Sequence, residues 1–532
     1  MRECSADVVV VGASLGGVAA ALAVASMGYR VVLSEPTAWL GGQLTSQAVP
    51  PDEAVWIETR GFGATRRYRE FRQRVRQYYR SNYPITESAR RDRHWNPGSS
   101  WVSRLAHEPK VALRVLTDML APYENSGRLV LYLQHRPTSV EVDGDRVRTI
   151  TLQSVLTDER VVVSASYALD GTECGDLLPL AGAEYVTGSE SQAETGEAHA
   201  GETAEPLNMQ AATWVAAIEY CPQGDYTMAE PTDYHRWRTY QPSLNPPWPG
   251  PWFSWEYTDP ISGQATTRSL FGATDAPNGP GGSEAFWQYR RIIDAAHFGG
   301  LYGHDISLIN WPQNDYVGGV LFEVNEEEAR RHWSSARQLT LSWLYWLKTE
   351  APRADGGRGY PELRLRPDVL GGDDGLALSP YIRESRRIRA RFTILEQHLA
   401  RAIHPAGAAP DRPDSVGIGY YPIDLHPTTG GKNSCHVEVA PFQIPLGSLI
   451  PVRMENLLPA AKNIGTTHVT NGCYRVHPVE WNIGEAAGYL VGYCLRDGLA
   501  PAEVWEHPAK LKEFQRMLKS AGIRLKWPSW VP

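Results

Sequence analysis

The clearest pattern in the chain lies near its start. Residues 8–11 are four valines, an uninterrupted apolar run suited to a strand buried on both faces. The run breaks at Gly12-Ala13-Ser14-Leu15-Gly16-Gly17, and the alanine-rich stretch that follows reads as a helix to about Met27, stopped by Gly28. Residues 29–33 form a second, largely buried strand, which Glu35 closes. Strand, glycine turn, helix, strand and acid in this order make a dinucleotide-binding βαβ unit. Gly12 serves the tight turn, Ser14 stands where backbone approaches a pyrophosphate, and Gly17 lets helix and strand pack closely. The helix start offers free N–H groups to the pyrophosphate, and Glu35 lies at the distance, roughly twenty residues, that suits a ribose hydroxyl. Residues 8–25 also have the apolar length of a signal or membrane anchor. Arg2 is the lone basic residue ahead of them, and the acid-ended strand follows at once, so the nucleotide unit is the better reading.

Further along, the periodicity predicts helices over 65–83 and 110–123 and strands over 129–133, 139–142, 147–152 and 161–169. A hairpin turn falls at Asp143-Gly144-Asp145. The last of these strands runs into the turn Asp170-Gly171-Thr172-Glu173-Cys174-Gly175-Asp176. Residues 189–206, with five glutamates, read as a solvated loop, and the proline-broken tract 235–260 excludes a regular helix or central strand. Asn325 followed by three glutamates marks a helix start, with Trp333, Ala336, Leu339, Trp343 and Leu347 on one face. A Gly/Pro/Asp-rich linker at 351–375 leads back to the core. A strand is expected over 456–461, then a helix from Pro478 whose small residues Gly484, Ala487, Gly488 and Gly492 suit close packing on a sheet.

Composition narrows the class. At 532 residues two intimately joined domains are expected, and 42% hydrophobic with 21% charged residues is an ordinary globular balance. A net charge of -8 and a pI near 6.0 argue against nucleic acid or an acidic membrane surface as the main partner. The six cysteines stand far apart without a C-x-x-C pair, which excludes disulfide-reductase chemistry and makes a cytoplasmic setting the default. No metal-binding pattern is present in the sequence. The 18 Trp and 25 Tyr cluster with proline in the region expected to cover a substrate.

Trp39-Leu40-Gly41-Gly42-Gln43-Leu44-Thr45, directly after the second strand, lets backbone pass close to a flat ring system. Near the end, Gly472-Cys473-Tyr474-Arg475-Val476-His477 leads into the helix at Pro478, whose N-terminus suits the negative charge of a reduced flavin. With these motifs the chain resembles the bacterial FAD-dependent oxidoreductases that have a glutathione-reductase-type FAD domain. The resemblance rests on GASLGG with Glu35, on WLGGQLT, on LDGTECGD at 169–176, on YIRESRRI at 381–388 and on the terminal NGCYRVHPVEWNIGEAAG, in that order along nearly the whole chain. It implies a Rossmann-like α/β FAD domain built from 1–50, 110–190 and 440–500. An inserted aromatic-rich α+β substrate domain would take 51–109 and 191–439, leaving 501–532 as a C-terminal extension. FAD contacts are implied for Gly12, Ser14, Leu15, Gly16, Gly17, Glu35, Gly41, Gly42, Gln43, Asp170, Gly171, Thr172, Gly465, Arg475, Pro478, Asn482 and Ile483.

The expected reaction is hydride transfer from a small alcohol, amine or related C–H donor to flavin N5. A single glycine fingerprint argues against a built-in NAD(P)H domain, so the electrons are expected to go to an external acceptor such as oxygen, a quinone or a protein. A flavin monooxygenase and a non-catalytic flavin-binding protein are the alternatives. His477, then His468 and Tyr421, are the candidates for proton transfer, with His426 and Tyr474 behind them. Arg383 and Arg386 are candidates to clamp a substrate carboxylate, and Trp311 and Asn314 to line its pocket.

Overall fold

A computed structural model describes residues 2–54, 56–59, 62–272 and 285–531. The apolar run becomes strand β1, Arg2–Val11, whose last four valines are buried, and α1 follows at Leu15–Ser26. Strand β2 is Val31–Glu35, two residues later than the apolar pattern suggests; the turn at Met27-Gly28 precedes it, and Asp7 accepts the N–H of Arg30 at 2.7 Å. Helices α2, Arg66–Asn82, and α3, Pro109–Asn125, come next, then β3 Leu129–Leu133, β4 His135–Asp143, β5 Arg146–Ser154 and β6 Arg160–Asp170. A late strand, β7 at Leu457–Pro459, returns to the same sheet.

The parallel part of that sheet runs β3-β2-β1-β6-β7. β6 is shared between two arrangements. Its first half pairs antiparallel with β5, while Ala168, Leu169 and Asp170 pair with β7. The strand ends that carry glycine turns therefore lie side by side: Val11 pairs with Asp170, and Asp170 with Pro459. In open parallel sheets ligands bind at this carboxyl edge.

Above it lie α5, His468–Tyr474, and α6, His477–Asp497, which is buried along its first eighteen residues. The small residues of α6 do not meet the sheet, as the sequence suggests, but α1. A Cβ on Gly484 would stand 1.9 Å from the Gly16 carbonyl, and one on Gly488 2.5 Å from that of Ala20. Two helices are thereby held at backbone contact, which brings the start of α6 against the start of α1.

The remainder is rich in buried aromatics. Ala216–Tyr220, Arg291–Ile293, Ile306–Ile309 and Leu363–Leu365 form a four-stranded sheet beside α4, Glu326–Thr349, which Asn325 caps. The stretch 351–375 is thus more than a linker, since it supplies an edge strand. In 235–260 the helix is confined to Tyr234–Arg238, and Trp237, Trp248, Trp252 and Trp255 are buried. The glutamate-rich stretch 189–206 is only partly solvated. Glu197 is 1% exposed and accepts from Thr467 Oγ1 at 2.7 Å and the Glu396 N–H at 2.8 Å, while Glu190 pairs with Arg387.

Candidate functional site

The carboxyl edge of the sheet is a glycine cradle. Gly12, at φ +89°, faces Gly171 so closely that a Cβ would meet its backbone at 2.4 Å, and a Cβ on Gly17 would stand 2.0 Å from the Gly12 carbonyl. Leu15 opens α1, and Ser14 caps it by accepting the Gly17 N–H at 3.2 Å. Gly16 lies against the Ala460 carbonyl just past β7. Glu35 accepts from the N–H groups of Ala13 and Thr37, both at 3.1 Å, and from the Thr37 hydroxyl at 2.8 Å. Burial pushes its carboxyl up to about 8. Asp170 braces the neighbouring turn through the N–H and hydroxyl of Thr172 and the Leu177 N–H, and burial raises it to about 7.

Beyond the cradle, Gly41 and Gly42 take φ of +108° and +48°, turning the chain into Gln43. The Gln43 amide donates to the Arg475 carbonyl at 2.9 Å and to Glu480. Glu480 in turn accepts the Gly16 N–H at 3.2 Å, so a side chain of α6 sits at the start of α1. Burial and the nearby Glu173 raise Glu480 against the pull of Lys462, which itself pairs with Glu173. Sequence reasoning missed this knot of Glu173, Lys462 and Glu480, although each residue lies inside or beside one of the quoted motifs. Gln43 Oε1 and Gln47 Nε2 are buried without a partner.

Alongside runs a chain of charged groups drawn from separate segments. Arg383 reaches Asp315 at 3.1 Å, as well as the Thr213 hydroxyl and the Asn310 side chain. Asp315 pairs with His426 Nδ1 at 2.6 Å, and His426 Nε2 lies 3.5 Å from Asp424. Arg475 pairs with Asp424 at 3.4 Å and donates to the Tyr381 hydroxyl at 2.7 Å. Burial works to raise both acids but is outweighed. Arg383 and then His426 hold Asp315 below the usual carboxylate range, and His426 and then Arg475 do the same for Asp424. His426 keeps 24% of its side chain accessible. Burial, then Asp52 and Asp424, keep the Tyr421 phenol protonated well above its ordinary range. Several donors here have no partner: Nε of Arg290, Arg383 and Arg475, and Nδ2 of Asn310.

His468 forms a second pair, its Nδ1 at 2.8 Å from Glu384 with Nε2 unpartnered. Burial raises Glu384, but His468 and then Arg387 outweigh it and hold the carboxyl low. Gln210 links the two pairs, donating its N–H to Glu384 at 3.1 Å and accepting the His426 N–H at 3.4 Å.

His477 is placed otherwise than expected. Its ring is fully buried; Nδ1 accepts the Asp52 N–H at 3.0 Å, and Nε2 lies 3.2 Å from the Val49 carbonyl. Burial lowers it to about 4. Both nitrogens of a neutral ring are spent on backbone, which gives His477 a tethering role instead of the proton transfer expected of it. Tyr474 is likewise committed, bonding the Gln443 carbonyl at 2.9 Å.

Arg386 stands apart from Arg383, paired with Asp176 and Glu323 and donating to the Cys174 carbonyl, so it buttresses the 170–176 turn. Asn314 spends its amide on the carbonyls of Trp214 and Ile309 and on Thr340, and Trp311 stacks on Phe286 at 4.8 Å, so both are loop and core residues. Gly465 packs on Ala390, and Asn482 donates to the Val416 carbonyl at 3.2 Å. Pro478 occupies the first turn of α6, and Ile483 is buried in it. Among the described residues, the ligand atoms of Glu219, Cys221 and His304 lie within 4.8 Å of one another, but Arg364 and Arg366 already hold Glu219. All six cysteines are free, and among the described residues no helix is long and apolar enough to cross a membrane.

A parallel sheet with a glycine cradle at its carboxyl edge, an acid at the end of β2 and histidine–carboxylate pairs nearby defines a dinucleotide-dependent enzyme. The chain belongs to the FAD dependent oxidoreductase family, whose profile matches residues 7–518. No curated protein sequence matches it. Similar solved structures include p-nitrophenol 4-monooxygenase PnpA from Pseudomonas putida DLL-E4, at 11% identity over 98% of this chain and 89% of that one, TM-score 0.34. The myxobacterial chondrochloren halogenase CndH is similar at 12% identity over 97% and 79% of the two chains, TM-score 0.30. L-proline dehydrogenase from P. horikoshii is similar at 13% identity over 36% of this chain and only 24% of its own length, TM-score 0.19. Likenesses this distant decide nothing about the substrate.

The residues present fit FAD. The Gly12/Gly17/Gly171 cradle leaves no room for side chains where backbone must approach a pyrophosphate, Glu35 ends β2 where an acid would meet a ribose hydroxyl, and the unpartnered Gln43 Oε1 and Gln47 Nε2 would bond a polar ring edge.

Proposed function

We propose that this FAD-dependent enzyme oxidises a small organic substrate and passes the electrons to an external acceptor. The observation that carries the reading is the His426–Asp315 pair, partly accessible and set between Arg383 and Arg475. Bound FAD supplies a two-electron acceptor that takes a hydride at N5. The chain's part is to orient the substrate and manage its proton. Asp315 fixes His426 through Nδ1, while Nε2 faces Asp424 at 3.5 Å; as the base for a substrate O–H or N–H, Nε2 takes the proton and the two carboxylates stabilise the imidazolium. The unpartnered donors Arg383 Nε, Arg475 Nε and Asn310 Nδ2 favour a substrate rich in acceptor oxygens, such as a hydroxy acid or a sugar derivative. Segments 51–109 and 191–439 supply most of this side of the site, while 1–50, 110–190 and 440–500 hold FAD.

The test is anaerobic bleaching of the bound flavin against a panel of alcohols, amines, amino acids and sugars. With a substrate found, His426→Asn keeps its FAD but slows flavin reduction about 10²–10⁴-fold, the usual contribution of general acid–base catalysis. An unchanged rate sinks the assignment of His426. Bleaching by nothing in the panel, or oxygen recovered in the product, counts against the dehydrogenase reading.

A further inference from the structure

Helix α2, RRYREFRQRVRQYYRSN, carries seven arginines, far more than an amphipathic surface helix needs. Arg69, Arg72, Arg76 and Arg80 follow one another at helical spacing and, with Arg66 and Arg93, line an open groove of about 860 Å³. A second hollow, of about 470 Å³, shares Arg69 and adds Lys519, Arg524 and Lys526.

The acids in reach do not balance these cations. Glu58 is taken by Arg72 and Arg76, Glu53 by Arg72, and Glu70 by Arg74 outside the groove, while Lys526 has Asp411. Among the described residues Arg66, Arg80 and Arg93 have no carboxylate partner. Arg80 Nε and Arg524 Nη1 are buried without any partner. The cations also oppose one another. Burial and Arg66 hold Arg69 below its ordinary range, and burial and Arg69 do the same for Arg524. All this sits on a chain whose net charge is -8. A patch of this sign concentrates anions at the groove even on an acidic protein.

We propose that this groove is a binding site for a small polyanion carrying two or more phosphoryl groups, separate from the dinucleotide cradle. Guanidinium forks match phosphoryl oxygens in pairs, and the volume is that of a small-molecule pocket. The groove shares no residue with the glycine cradle. It is joined to the oxidation site through the chain beside it: Glu53, which holds Arg72, follows Asp52, which pairs with Arg290 and donates its N–H to His477.

The experiment is calorimetric titration of the FAD-loaded protein with inorganic pyrophosphate, and in a second arm with citrate. Pyrophosphate binds, its affinity falls with added salt, and Arg66→Ala/Arg93→Ala weakens it about tenfold or more, as expected when two phosphate-facing cations are lost. Arg80→Gln gives an independent second variant, and retained FAD in both shows that the fold is kept. No binding at about 1 mM, an affinity that corresponds to a negligible site, overturns the proposal. So does pyrophosphate binding that both variants leave untouched, and citrate binding tighter than pyrophosphate overturns the phosphoryl assignment.

Discussion

His477 offers the sharpest single perturbation, because its two possible roles predict opposite results. With both ring nitrogens on backbone partners at 3.0 and 3.2 Å, His477→Asn loses two buried hydrogen bonds worth about 0.5–1.5 kcal/mol each, roughly 1–3 kcal/mol in all near neutral pH. The rate of flavin reduction is left within about twofold, against the 10²–10⁴-fold loss expected of a catalytic base. The pH dependence is distinctive. A histidine in the unfolded chain titrates near 6.5, whereas burial lowers His477 to about 4 in the fold. Above pH 6.5 both states hold a neutral ring and it adds no slope. Between about 6.5 and 4 only the unfolded chain takes up the proton, so the parent loses stability as pH falls, by about 3 kcal/mol in total. The asparagine variant has no such loss, and the stability gap between the two proteins closes toward acid.

Urea unfolding of the FAD-loaded pair at several pH values measures that gap. Glu35 and Asp170, raised by burial, titrate alike in both proteins and cancel in the difference. A gap independent of pH, or a hundredfold slower flavin reduction at parental stability, would refute the tethering role and return His477 to the proton-transfer step.

What was legible in the sequence was whatever neighbouring residues settle between themselves. The βαβ unit, the helix from about residue 65, the start at Asn325 and the hairpin around Gly144 each depend on a few consecutive side chains, and the structure holds them within a residue or two. The proton-handling chain was not legible, because Asp315, Arg383, the Asp424/His426 pair and Arg475 come from four separate segments and meet only through tertiary packing. His477 shows the limit most clearly. Its position before α6 was readable, but its protonation state is set by burial, and its ring is tied to the N–H of Asp52, 425 residues away. Acid content misled over 189–206 for a related reason: composition counts glutamates without saying that Glu190 and Glu197 turn inward to Arg387 and Thr467.

Other outcomes follow from the cradle and its surroundings. Gly17→Val abolishes FAD retention, since even a Cβ would stand 2.0 Å from the Gly12 carbonyl; flavin released on denaturation reports it, and full retention would contradict the cradle. NADH and NADPH bleach the resting enzyme slowly or not at all in stopped flow, because the chain has a single glycine fingerprint; rapid saturable reduction would reveal a nicotinamide site. The remaining prediction concerns Glu480, which occupies the Gly16 N–H at the start of α1, where a pyrophosphate is favoured. Burial already raises its carboxyl, and Glu173 adds to the rise. A further negative charge nearby raises it more, so FAD binding takes up a proton. Affinity is then full at low pH and falls as pH rises through the free protein's value toward that of the complex, about tenfold for each unit by which the two differ. Glu480→Gln removes the titrating group, so its FAD affinity is flat over the same range. A parental affinity that rises with pH, or a slope that survives in the glutamine variant, would mean that another group senses the cofactor's charge.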